Sequence, residues 1–98
     1  MATFISTIKF TEQGIQNIQE TCKRVSAVKT AAKKMGVKVV EVYWTLGRFD
    51  GVLILDAPDE ETVTALLLQI ASLGNVKTQT ARAYKAAEME KILAKLAK

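Results

Sequence analysis

Histidine is absent from these 98 residues, and cysteine occurs once, at Cys22. No disulfide can close within one chain, so nothing staples the fold as it would in a small secreted domain. Without imidazole the commonest metal ligand and the usual neutral-pH base are both missing. With one thiol and no imidazole a protein zinc site is not expected, and neither a cofactor nor a metal is assigned, a divalent ion held by carboxylates being the one metal reading left open. Proline occurs once, at Pro58, and no apolar run approaches the roughly 20 residues of a membrane helix. Met1-Ala2-Thr3-Phe4 lacks the basic and apolar segments of a secretory leader. The expectation is a cytoplasmic protein with no membrane partner. Charge of one sign is also scarce: the net charge is +4. Lysines are interleaved with acids, as on solvated helix faces, so no nucleic acid is expected. Cys22 reads as a buried or inert thiol.

What is present is a strong β signal. Val37 to Leu55 is rich in Val, Ile, Leu and aromatics and is broken by Gly47-Arg48-Phe49-Asp50-Gly51, which is hairpin chemistry. On the first arm Val40, Val42, Trp44 and Leu46 read as core, with Val39, Glu41, Tyr43 and Thr45 opposite. A strand is expected from about Thr3 to Phe10, alternating Phe4, Ser6, Ile8 and Phe10 with Ile5, Thr7 and Lys9. Thr11-Glu12-Gln13-Gly14 breaks it, and Ile15 and Ile18 fit a single helical turn. Cys22, Val25, Val28, Ala32 and Met35 recur at helical spacing, with Thr21 as the expected N-cap and Gly36 as the stop. Asp59, Glu60 and Glu61 open a second helix over Val63, Leu66, Leu67, Ile70 and Leu73. Val76 to Tyr84 alternates as a last strand, and a final helix runs from about Ala86 to Leu96.

The order β-α-β-β-α-β-α specifies a ferredoxin-like βαββαβ sandwich, sheet order 4-1-3-2, with two helices on one face plus a C-terminal helix. One domain is expected over residues 1–98. The other face would expose Ile5, Thr7, Tyr43, Thr45, Val52, Ile54, Thr80 and Tyr84. The C-terminal helix can cover part of it. What remains exceeds the apolar patch of ordinary monomers. A homodimer or higher homo-oligomer is therefore predicted, its sheets stacked as a dimeric α+β barrel.

Several segments carry a likeness to a known family. They are Phe10-Thr11-Glu12-Gln13-Gly14-Ile15 with Asn17-Ile18, Tyr43-Trp44-Thr45-Leu46-Gly47-Arg48-Phe49-Asp50, Glu60-Glu61-Thr62, Ser72-Leu73-Gly74-Asn75-Val76 and Thr80-Ala81-Arg82-Ala83. With these the chain resembles the GYD-domain family, small bacterial proteins of the dimeric α+β barrel group, nearly end to end. Phe49 stands where that family usually has tyrosine. Proteins sharing the barrel include cofactor-free monooxygenases, isomerases and small-molecule-binding regulators.

Tyr43, Thr45, Asp50, Thr80, Arg82 and Thr7 are the candidate ligand-binding residues, since strand alternation aims most of them at the barrel side. A buried Arg82 needs a partner, which Asp50 or an anionic ligand would supply. The leading expectation is a homo-oligomeric barrel binding a small metabolite, anionic or aromatic. The alternatives are a cofactor-independent isomerase or monooxygenase using Tyr43, Arg82 and Asp50, and a purely structural assembly unit.

Overall fold

The computed structural model describes residues 1–97. Strand β1 spans Ala2–Phe10 and is followed by the short helix α1, Glu12–Gln16, and a 3-10 turn at Ile18–Glu20. Helix α2 is Thr21–Lys34, strands β2 and β3 are Lys38–Trp44 and Gly51–Ala57, helix α3 is Glu60–Ser72, β4 is Val76–Ala83 and α4 is Ala86–Leu93. The sheet order is β2-β3-β1-β4, and every pair is antiparallel. This is the ferredoxin-like topology expected from the element order. None of the described helices is long and apolar enough to cross a membrane.

One face of the sheet carries the core. Phe4 and Ser6 on β1 lie opposite Leu55 and Leu53 on β3. With Ala57 they pack beneath Ala32 of α2 and Val63, Leu66 and Leu67 of α3. Gly36 takes φ +77° after α2 and Gly74 φ +83° after α3, the left-handed backbone that ends a helix most cheaply with glycine. At the start of α3, the Asp59 carboxylate accepts from the Thr62 N–H at 2.7 Å.

Four expectations are corrected. A register shift between Val39 and Glu41 bulges β2 at Val40. Val39 therefore packs against the core, Val40 is 39% exposed, and Leu46 beyond the strand is wholly exposed. A bulge adds one unpaired residue and resets the alternation, which an unaligned pattern cannot show. On β4, Thr80 pairs with Ser6 and Arg82 with Phe4, so both belong to the helix-side face. The open face receives Gln79, Ala81 and Ala83 instead. Polar residues occur in both alternating sets of this strand, so hydrophobicity did not fix which set turns inward. Thr21 is not a cap: α2 begins with it, and its hydroxyl accepts from the Trp44 indole Nε1 at 2.9 Å. Cys22 is exposed.

The final helix ends at Leu93, about three residues short of what its apolar spacing suggests, and no residue in it is buried. It covers none of the core. The radius of gyration is 15.0 Å, against about 13 Å for a compact domain of this length, consistent with a helix that projects from the body. The open face of the sheet carries Ile5, Thr7, Tyr43, Val52, Ile54, Ala81 and Ala83, all at least partly exposed.

Candidate functional site

The connections gather at one end of the sheet, where β1 stops at Phe10. Here the chain must turn three times in a small space, and backbone groups freed from the ladder need partners. Thr11 donates its N–H to the Asn75 carbonyl at 3.0 Å and its hydroxyl to the Gly74 carbonyl at 2.6 Å. That hydroxyl oxygen also accepts from the Gly14 N–H, capping α1. Gln13 donates to the Leu73 carbonyl and the Asn75 side chain at 2.9 and 3.0 Å. Gly14 sits against the Asn75 carbonyl, into which any Cβ would collide. The Thr-Glu-Gln-Gly and Leu-Gly-Asn segments are thus two halves of one clasp.

The hairpin joins the same end. Asp50 Oδ2 accepts from the Phe10 N–H at 2.8 Å, the Asp50 N–H donates to the Ile8 carbonyl at 2.8 Å and its carbonyl accepts from the Thr45 N–H at 3.0 Å. The Thr45 hydroxyl closes the turn on the Phe49 carbonyl at 2.7 Å.

Behind the clasp, α2 and α3 diverge over the sheet and leave a cleft of about 390 Å³. Its walls are apolar: Ile8, Phe10, Val28, Val42, Leu53 and Ile70 among others. Polar groups enter only at a few points, from Thr21, Arg24, Asp50, Gln69 and Asn75, with Trp44 at the side. Arg24 is half-buried. Its guanidinium donates to the Asn17 carbonyl at 2.8 Å and, weakly, to the Gly14 carbonyl at 3.5 Å. Volume, apolar walls and sparse polar points are the usual make-up of a small-molecule pocket.

The six candidate residues do not converge. Thr45 and Asp50 belong to the turn beside the clasp. Tyr43 and Thr7 lie with Val52 on the open face, where they pair with it from either side; the Thr7 hydroxyl makes a long bond to the Gln79 carbonyl, 3.4 Å. Thr80 and Arg82 occupy the helix-side face of the edge strand, where the Thr80 hydroxyl donates to the buried Ser6 at 2.9 Å. Arg82 does not meet Asp50. It lies opposite Phe4, whereas Asp50 bonds Phe10, six residues along β1 and therefore about 20 Å away. Its partner is Glu88 at 2.9 Å. The guanidinium also donates to the Thr3 and Ala83 carbonyls and stacks 4.5 Å from the Tyr84 ring centre. The Arg82 hydrogen bond, with that from the Lys85 N–H, holds the Glu88 carboxyl below its ordinary range. The only other displaced acid among the described residues is Asp59, lowered by hydrogen bonds from Thr62.

Sequence reasoning missed Arg24, Gln69 and Asn75 as cleft residues. Arg24 carried one available signal: it is a cation in the first turn of a helix, where the macrodipole disfavours positive charge.

The family model of the GYD domain matches residues 4–93. A Thermus thermophilus protein named glutamine synthetase and cystathionine beta-lyase binding protein is 34% identical over 90 residues, 91% of this chain and 95% of that protein. The crystal structure of TTHA0845, also from Thermus thermophilus, superposes with a TM-score of 0.57 at 28% identity, covering 88% of this chain and 96% of the other. MtbAldR shares the fold at 13% identity and a TM-score of 0.66; the match covers 86% of this chain but about half, 53%, of that one.

Proposed function

This chain belongs to the GYD-domain family, and we propose that it is a homo-oligomeric α+β barrel that holds a small metabolite in the cleft between α2, α3 and the sheet. The cleft itself carries the reading. A chain of this size has little core to spare, yet side chains do not fill this space. An assembly unit alone would gain by closing it, because removing apolar walls from water is worth about 25 cal/mol per Å². Oligomerisation is supported by Ile5, Val52 and Ile54, which no element of the same chain covers. Tyr43 and Thr7 border that patch, and a second sheet laid on it would enclose them between subunits.

Both halves of the reading are testable. Sedimentation at micromolar concentration is expected to give a dimer or larger, reduced to monomer by Ile54→Lys; a wild-type monomer overturns the barrel. Benzyl alcohol, a neutral aromatic probe, is expected to shift the NMR signals of Val28, Val42 and Leu53, and Val28→Trp to abolish those shifts by filling the space. Unmoved signals in the wild type overturn the cleft as a binding site.

A second reading follows from the Thermus relative. Its similarity runs almost end to end, so the chain is also proposed to dock on a metabolic enzyme such as glutamine synthetase. Failure to co-sediment with that purified enzyme at micromolar concentration removes this reading and leaves the cleft untouched.

A further inference from the structure

The cleft holds two charged side chains, Arg24 and Asp50, and their situations differ. Asp50 is committed to the Phe10 N–H. Thr21 is likewise taken by Trp44, and Asn75 by Gln13. Arg24 meets only backbone carbonyls, one of them at the limit of hydrogen bonding. The ion pairs among the described residues are Lys23–Glu20 and Arg82–Glu88, so no carboxylate neutralises it. Two carbonyls use a minority of the five N–H donors of a guanidinium. A half-dehydrated cation beside an apolar wall lacks the partner that such a group ordinarily has.

We infer that the cleft is selective for a carboxylate with an aromatic or branched apolar body, and that Arg24 is its anchor. This rests on the cleft reading above and adds the chemical class. The body lies against Val28, Val42 and Leu53, while the carboxylate meets the free edge of the guanidinium, a geometry arginine favours. Arg24 stands in the first turn of the fourteen-residue α2, so the anion also lies near the positive end of that helix.

Trp44 is the single tryptophan of the chain and lines the cleft, so its fluorescence reports on occupancy. The experiment titrates the full chain with 3-phenylpropionate and with its neutral isostere 3-phenylpropionamide, exciting tryptophan alone. The acid is expected to bind about tenfold or more tightly than the amide, the ratio that one charge-assisted hydrogen bond supports. Arg24→Gln abolishes the preference, and Arg24→Lys, which keeps the charge, retains part of it. Equal binding of acid and amide by the wild type overturns the inference while leaving the cleft a binding site. An undiminished preference in Arg24→Gln overturns Arg24 as the anchor. If neither compound nor benzyl alcohol perturbs the cleft, the reading and the inference fall together. The acid–amide comparison needs no variant, so a failure of Arg24→Gln to fold does not rescue the inference.

Discussion

The two ends of the sheet are built on opposite plans. At the Phe10 end, three connections lock through Thr11, Gln13, Gly14, Asp50, Gly74 and Asn75, mostly by side chains reaching backbone groups. At the Phe4 end, one arginine holds an exposed helix through Glu88 and Tyr84. The first end closes on itself and walls a cleft. The second leaves Met89, Leu93 and Leu96 in solvent. A locked end tolerates little change, while an end fastened by one partly exposed ion pair tolerates more, because ion pairs within reach of water contribute little. The contrast also separates two kinds of arginine. Arg82 is balanced by an acid, Glu88, whereas Arg24 is balanced by none among the described residues.

Gly14→Ala attacks the locked end most directly. The new Cβ meets a backbone carbonyl that cannot move without opening the clasp, so about 3 kcal/mol of stability should be lost. A fall in the urea midpoint at constant slope reports it; an unchanged midpoint would show that the two segments are not tightly clasped. Asp50→Ala comes next. It strands the Phe10 N–H and is expected to cost about 1–2 kcal/mol, whereas Asp50→Asn, which keeps an acceptor, recovers most of that. If Asn is as harmful as Ala, the charge itself matters and the structural account of Asp50 is wrong.

The smallest effect is expected at the other end. Glu88→Gln should change the thermal midpoint barely at neutral pH, with any loss confined to α4 helicity by circular dichroism. The pH dependence has a definite sign. The folded Glu88 carboxyl titrates below its ordinary value, so its contribution is complete above that value and disappears as pH falls through the lowered one. Wild type and Glu88→Gln should therefore differ most near neutrality and converge in acid. A difference that grows in acid would contradict the Arg82–Glu88 pairing.

Much of the fold was legible because its signals are local. The βαββαβ order followed from hydrophobic period, the stop at Gly36 and the acids Asp59, Glu60 and Glu61 that open the second helix, each of which acts within a few residues. The candidate site was less legible. Thr80 and Arg82 were aimed at the wrong face because an edge strand with polar residues in both sets carries no inward bias. Asp50 and Arg82 were paired because opposite charges suggest contact, although the β1 register holds them at opposite ends. Arg24 went unnoticed because its isolation is a property of what surrounds it.

The sequence by itself determined the elements, their order and the apolar excess on one flank of the sheet, since propensity and periodicity are written residue by residue. Only the tertiary structure decided that Gly14 must lie on Asn75, that a bulge at Val40 reverses the alternation, and that two helices part to leave a cleft. Those outcomes depend on register and packing between segments distant in the chain, and no local pattern encodes a distance between them.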